Sequence, residues 1–197
     1  MKLMIVGWVI STLFSCAAKV DDGVREIRQE FWHVQSSIST LQKTQRILFG
    51  ISTEGAAVTA YRENGVIRKI VVEALGETGK YLADFYFENK RLIFSHIRLI
   101  DYGGHIMEAR EEKHLRDEIV EEDRFYFADG KLIKWMRFEE QTLPYKPGYE
   151  EKGQSVLGEA KSFMLLMETP PPKEGEEFCD WICDRKEDER CVEYRCE

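Results

Sequence analysis

Long apolar runs are scarce in this chain of 197 residues. The longest, Leu3 to Phe14, stops short of the roughly 20 apolar residues that a membrane-crossing helix needs. Positive charge is also in deficit, with 28 Lys and Arg against 36 Asp and Glu and a net charge of −8. That balance argues against nucleic acid, whose phosphates call for clustered cations, and against electrostatic docking on anionic lipid. Histidine is sparse: His33, His96, His105 and His114 are the 4 present, and the sequence nominates no cysteine or serine partner for them. There is no G-x-S-x-G elbow, no Gly-rich phosphate loop and no H-E-x-x-H pair. With 36 acidic residues, no two carboxylates stand out as an acid and a base. No reaction is legible and no cofactor is expected.

The features that are present begin at the N-terminus. Lys2 followed by the apolar stretch has the form of a secretory signal. Residues Leu13-Phe14-Ser15-Cys16 resemble the lipobox of bacterial lipoproteins, with Leu three before the cysteine and a small residue directly before it; Phe14 departs from the usual choice. The resemblance implies cleavage before Cys16, attachment of a diacylglyceryl group to its thiol and acylation of the new amine. Several acyl chains anchor where one is marginal. An ordinary secretory signal cut after Ala18 is the alternative. Ala17 supplies no acidic inner-membrane retention signal after the cysteine, which points to the outer membrane.

Cysteine usage agrees with export. Besides Cys16 there are Cys179, Cys183, Cys191 and Cys196, all within the last 19 positions. Two disulfides are the natural inference in an oxidising compartment. Cys179 and Cys183, one helical turn apart, would stand about 6 Å apart between Cβ atoms, too far to be bridged. Of the three possible connectivities we favour Cys183–Cys191 nested within Cys179–Cys196. A four-thiolate metal site is the rival, but zinc knuckles use C-x2-C pairs.

Between these ends lies an ordinary globular body. After Asp21-Asp22, a plausible N-cap, Val24, Ile27, Phe31, Val34, Ile38 and Leu41 recur at steps of three and four, the mark of an amphipathic helix. From position 56 the period becomes two. Segments 60–69 (AYRENGVIRK), 85–94 (FYFENKRLIF) and 125–134 (FYFADGKLIK) align without gaps. Asn64-Gly65 and Asp129-Gly130 are strong two-residue hairpin signals and Asn89-Lys90 a weaker one. The implied hairpins are three: 56–63/66–75, 80–88/91–102 and 119–128/131–140. The Y-x-x-N-G-x-L pattern resembles MORN-variant repeats, which form antiparallel hairpins and imply no catalysis. Their fixed period is missing here, so one meandering sheet is expected instead of a solenoid.

Ungapped pairing sorts side chains onto two faces. Phe85, Phe87, Leu92, Phe94, Phe125, Phe127, Leu132, Met136 and Phe138 form a core face for the first helix to cover; His96, in phase with Phe94, reads as a packed imidazole. Tyr61, Tyr86, Tyr126 and Trp135, with Leu82, Ile93, Ile97 and Ile133, form the other. A helix over Ser155–Glu168 covers this second face, or else the tyrosines line a binding surface. The charged stretch after hairpin two contains His105, Glu108, Glu111 and His114, which could gather around a metal if helical; a solvated connector is the plainer reading.

The expectation is an α+β protein: an antiparallel meander of about six strands, flanked by an N-terminal and a C-terminal helix, with a small disulfide-bonded tail. Its regions are a signal peptide (1–15), anchor and first helix (16–50), sheet (51–143), linker and second helix (144–169), and a proline spacer with an acidic cysteine tail (170–197). Functionally it is a cell-envelope lipoprotein held to the membrane by lipid. Its role is binding or assembly with another envelope protein, with no nucleic acid. The alternative is a periplasmic enzyme using His105, Glu108, Glu111 and His114.

Overall fold

The computed structural model describes residues 6–49, 51–104 and 117–170. Among them are two helices and one open antiparallel sheet of eight strands. The strands are β1 (Gln42–Leu48), β2 (Ala56–Glu63), β3 (Val66–Leu75), β4 (Gly79–Glu88), β5 (Arg91–Asp101), β6 (Glu118–Ala128), β7 (Lys131–Arg137) and β8 (Glu140–Thr142). They lie in chain order, so every strand pairs with its sequence neighbours. Helix α1 (Val6–Ser37) precedes the sheet and α2 (Tyr149–Glu168) comes after it. The α+β class and the meander agree with expectation, but the strand count rises from six to eight. β1 escapes the periodicity because QKTQRIL has only two apolar residues, and β8 because it is three residues long.

The three expected hairpins form. Asn64, Gly65, Asn89, Lys90, Asp129 and Gly130 all have positive φ, as the mirror-image two-residue turns require. Each hairpin also carries a β-bulge that ungapped alignment hides. Register shifts fall at Tyr61/Arg62, Tyr86/Phe87 and Tyr126/Phe127, leaving Arg68, Ile93 and Ile133 as the extra residues. One added residue moves every later side chain of its strand to the opposite face. Phe94 therefore pairs with Tyr86 and Met136 with Arg124, whereas Ile97 pairs with Ala83 and Trp135 with Phe125. Phe138 is a turn residue with positive φ and is exposed, not a member of the core face.

The result is three layers, with a helix on each side of the sheet. One core joins Val58, Ile70, Val72, Phe85, Phe87, Ile97, Phe125, Phe127 and Trp135 to Tyr149, Val156, Ala160, Met164 and Met167 of α2. The other joins Tyr86, Ile93, Phe94 and Tyr126 to Val24, Ile27 and Val34 of α1, with Phe31, Ile133 and Met136 packed around them. The helices are thus exchanged relative to expectation: α1 covers the tyrosines and α2 covers the phenylalanines. Helix α1 is continuous through Asp21 and Asp22, so neither caps it; Asp22 instead pairs with Arg25 at 2.8 Å. Helix α2 begins six residues before Ser155, at Tyr149, after Gly148 in the left-handed region.

Both helices run across the strands in the same direction. Gly23 of α1 lies against Ile133 of β7. Farther along, Glu30 pairs with Arg68 of β3 and His33 approaches Glu63 of β2. Tyr149 of α2 meets the Trp135 ring on β7 and Phe163 meets Phe85 on β4. At the end of α2, Arg62 of β2 donates to the Met167 carbonyl at 2.6 Å. Arg46 of β1 donates to the carbonyls of Leu166, at 2.6 Å, and of Thr169. The last turn of α2 holds no basic residue of its own, and these two arginines supply the cations that its free carbonyls favour.

Candidate functional site

Below α2 the sheet buries a carboxylate. Asp123 on β6 is in phase with Phe125 and Phe127 and is 0% exposed. It is held by three donors: Trp135 Nε1 at 2.8 Å, Arg137 Nε at 3.0 Å and Arg137 Nη2 at 3.0 Å. Lys152 of α2 stands 3.9 Å away. Burial alone would raise this carboxyl, but the hydrogen bonds from Arg137 and Trp135 outweigh it and hold Asp123 below its ordinary range. The partnership raises the Arg137 guanidinium in turn.

Beside this cluster opens a pocket of roughly 230 Å³ between α2 and the sheet, with Tyr81, Glu121, Lys152, Ser155 and Glu159 among its lining residues. Tyr81 Oη donates to Glu159 Oε1 at 2.6 Å. Burial pushes the Glu159 carboxyl up, against the lowering effects of Tyr81 and Lys152. Burial and the nearby Glu159 also push the Tyr81 hydroxyl up. Two carboxyls in one neighbourhood are thereby moved in opposite directions. Lys152 stands between the helix and the β6 acids, 3.7 Å from Glu121 and 3.9 Å from Asp123, and its charge also acts to lower Glu159. Chemically, the cluster clamps α2 to β4, β6 and β7 and leaves an acceptor-rich mouth at the joint.

The other face carries a charged band alongside α1. Lys69 pairs with Asp84 at 2.7 Å and lies over the Tyr86 ring at 4.8 Å. Arg98 reaches the same aspartate at 3.3 Å. His96 meets Glu122 at 2.8 Å, and burial, outweighing that bond, lowers the imidazole. His96 shares the face of Phe94, as its phase implies, and packs among charges. Opposite charges in this band answer one another, so the polar half of the face is internally paired.

The tyrosines and Trp135 do not form one exposed surface. Tyr86 is 2% and Tyr126 6% exposed beneath α1, Tyr61 is half-buried, and Trp135 is on the α2 side at 8%. Bulges and helix α1 account for this. Cys16 falls within the backbone span of α1. Cys179, Cys183, Cys191 and Cys196, and with them the expected disulfides, lie outside the described residues, as do His105, Glu108, Glu111 and His114. Among the described residues no group of three or more His, Cys, Asp or Glu could hold a metal ion, and no helix is long and apolar enough to cross a membrane.

Asp123, Glu159, Tyr81 and Lys152 do not stand out in the sequence. A signal existed: Asp123 is an acid in step with two core phenylalanines, and Glu159 lies between Val156 and Phe163 of the helical stripe. No family model, curated protein or solved structure matches this chain.

Proposed function

We propose that this chain is a lipid-anchored protein of the cell envelope that binds or assembles with another envelope component and does not catalyse a reaction. The observation that carries the reading is Leu13-Phe14-Ser15-Cys16 at the end of the apolar run. The architecture supports it. Packing of α1 against the sheet involves Val20 and the residues after it. Cleavage before Cys16 would leave those residues, and with them the tyrosine-side core formed among the described residues, in the mature chain. The short helical stretch between Cys16 and Val20, about 6 Å at 1.5 Å per residue, would hold the body close to the lipid.

A binding role draws support from the way the ionisable groups are spent. Asp84, Asp123, His96 and Glu159 each answer a neighbour, and the rigid sheet they brace is a scaffold for a surface. The test is the intact mass of the protein purified from membranes without reductant. The expected species is residues 16–197 plus an acylated diacylglyceryl group, less four hydrogens for two disulfides, with the lipid lost in Cys16→Ser. A lipid-free chain starting at Lys19, or a full-length chain with free thiols, would overturn the anchor.

A further inference from the structure

We propose that the acidic, cysteine-bearing segment after α2 docks as an added strand on the outer edge of β1. The two edges of this sheet differ. β8 is three residues long, a common way of blunting an edge. β1 runs for seven residues in unbroken register with β2, from Gln42↔Arg62 to Leu48↔Ala56, with no bulge. Its first four residues and Ile47 are exposed, and it contains no proline or acidic residue. Ladder groups on the side of β1 away from β2 have no strand partner among the described residues, and an extended segment can satisfy them by strand addition.

The chain itself indicates the occupant. Arg46 of β1 binds the carbonyls of Leu166 and Thr169, so α2 ends against β1 and residue 170 departs beside that edge. The segment from 173 to 197 is strongly acidic, whereas β1 offers Lys43 and Arg46 and no acid. Within that segment, Val192-Glu193-Tyr194-Arg195-Cys196 alternates apolar and charged residues with the period of a strand. Val192 and Tyr194 would extend the apolar surface at Ile47, 55% exposed, and Phe49, 75% exposed. This inference does not depend on the lipid anchor.

Amide hydrogen exchange on the full-length, oxidised chain tests it, comparing the wild type with Val192→Asp/Tyr194→Asp. The expected result is that β1 amides exchange about tenfold or more faster in the variant, at every protein concentration, while β4 and β5 amides are unchanged. The unchanged central strands would show that the body remains folded. Equal β1 exchange in the two proteins would overturn the proposal. So would β1 protection that grows with protein concentration, which would assign the edge to a second copy.

Discussion

Asp123 is the residue on which the α2 side of the sheet turns. A carboxylate with no exposure is stable there because Trp135 and Arg137 donate to it. Removing one member of a buried pair strands the other. Asp123→Ala should destabilise the fold by about 3 kcal/mol, at the low end because the Arg137 side chain is half exposed; urea denaturation would measure it. The folded Asp123 has a lowered pKa, so its contribution is present above its unfolded value near 3.9. It is lost as pH falls through the folded value, and the variant should show a flatter acid limb below about pH 4. Glu159 has the opposite sign. Its folded pKa is raised by burial, so the native state binds more protons and stability falls as pH rises from about 4.3 through the folded value. Glu159→Gln keeps an acceptor for Tyr81 and should remove that decline, giving a protein more stable than wild type at pH 7 in thermal melts. Neither group is evident from the sequence, because a carboxylate in step with core residues can be told from a surface acid only once its donors are placed.

At the level of elements, the turn dipeptides were legible and the bulges were not. Asn-Gly and Asp-Gly announce positive φ through their own chemistry. Nothing local in Arg68, Ile93 or Ile133 announces an extra residue, since it is defined by what faces it across the ladder. That single unseen residue per hairpin placed Phe94 and Met136 on the wrong face; which helix covers which face is a separate matter, on which the period of the strands is silent. The unseen residue also joined Trp135 to tyrosines from which the sheet separates it. The middle turn carries a further consequence: Lys90 has φ of 64° where the other two hairpins place glycine. Relief of left-handed strain is worth about 1 kcal/mol, against a few tenths for the exposed Lys90–Glu168 pair. Lys90→Gly should therefore stabilise the protein by about 0.5 kcal/mol, seen as a higher urea midpoint with unchanged slope.

For the molecule as a whole, periodicity along the chain revealed the class, the chain-order meander and both helices, because each rests on repeats of many residues. The edge strands escaped: β1 is solvated on much of its length and leaves little periodic trace, and β8 is too short to have a period. The arrangement has a mechanical consequence. Helices α1 and α2 both travel from β7 toward β1, so the chain enters the body at one margin of the sheet and leaves it at the other. Six strand spacings of about 4.8 Å put roughly 29 Å between those margins. A pull between the two ends would act in the plane of the sheet at right angles to the strands, along the interstrand hydrogen bonds, the direction in which ladders separate in succession. The two helices lie along that same line on opposite faces, each packed on several strands, and would carry the tension as a pair of crossbeams before any one ladder could peel.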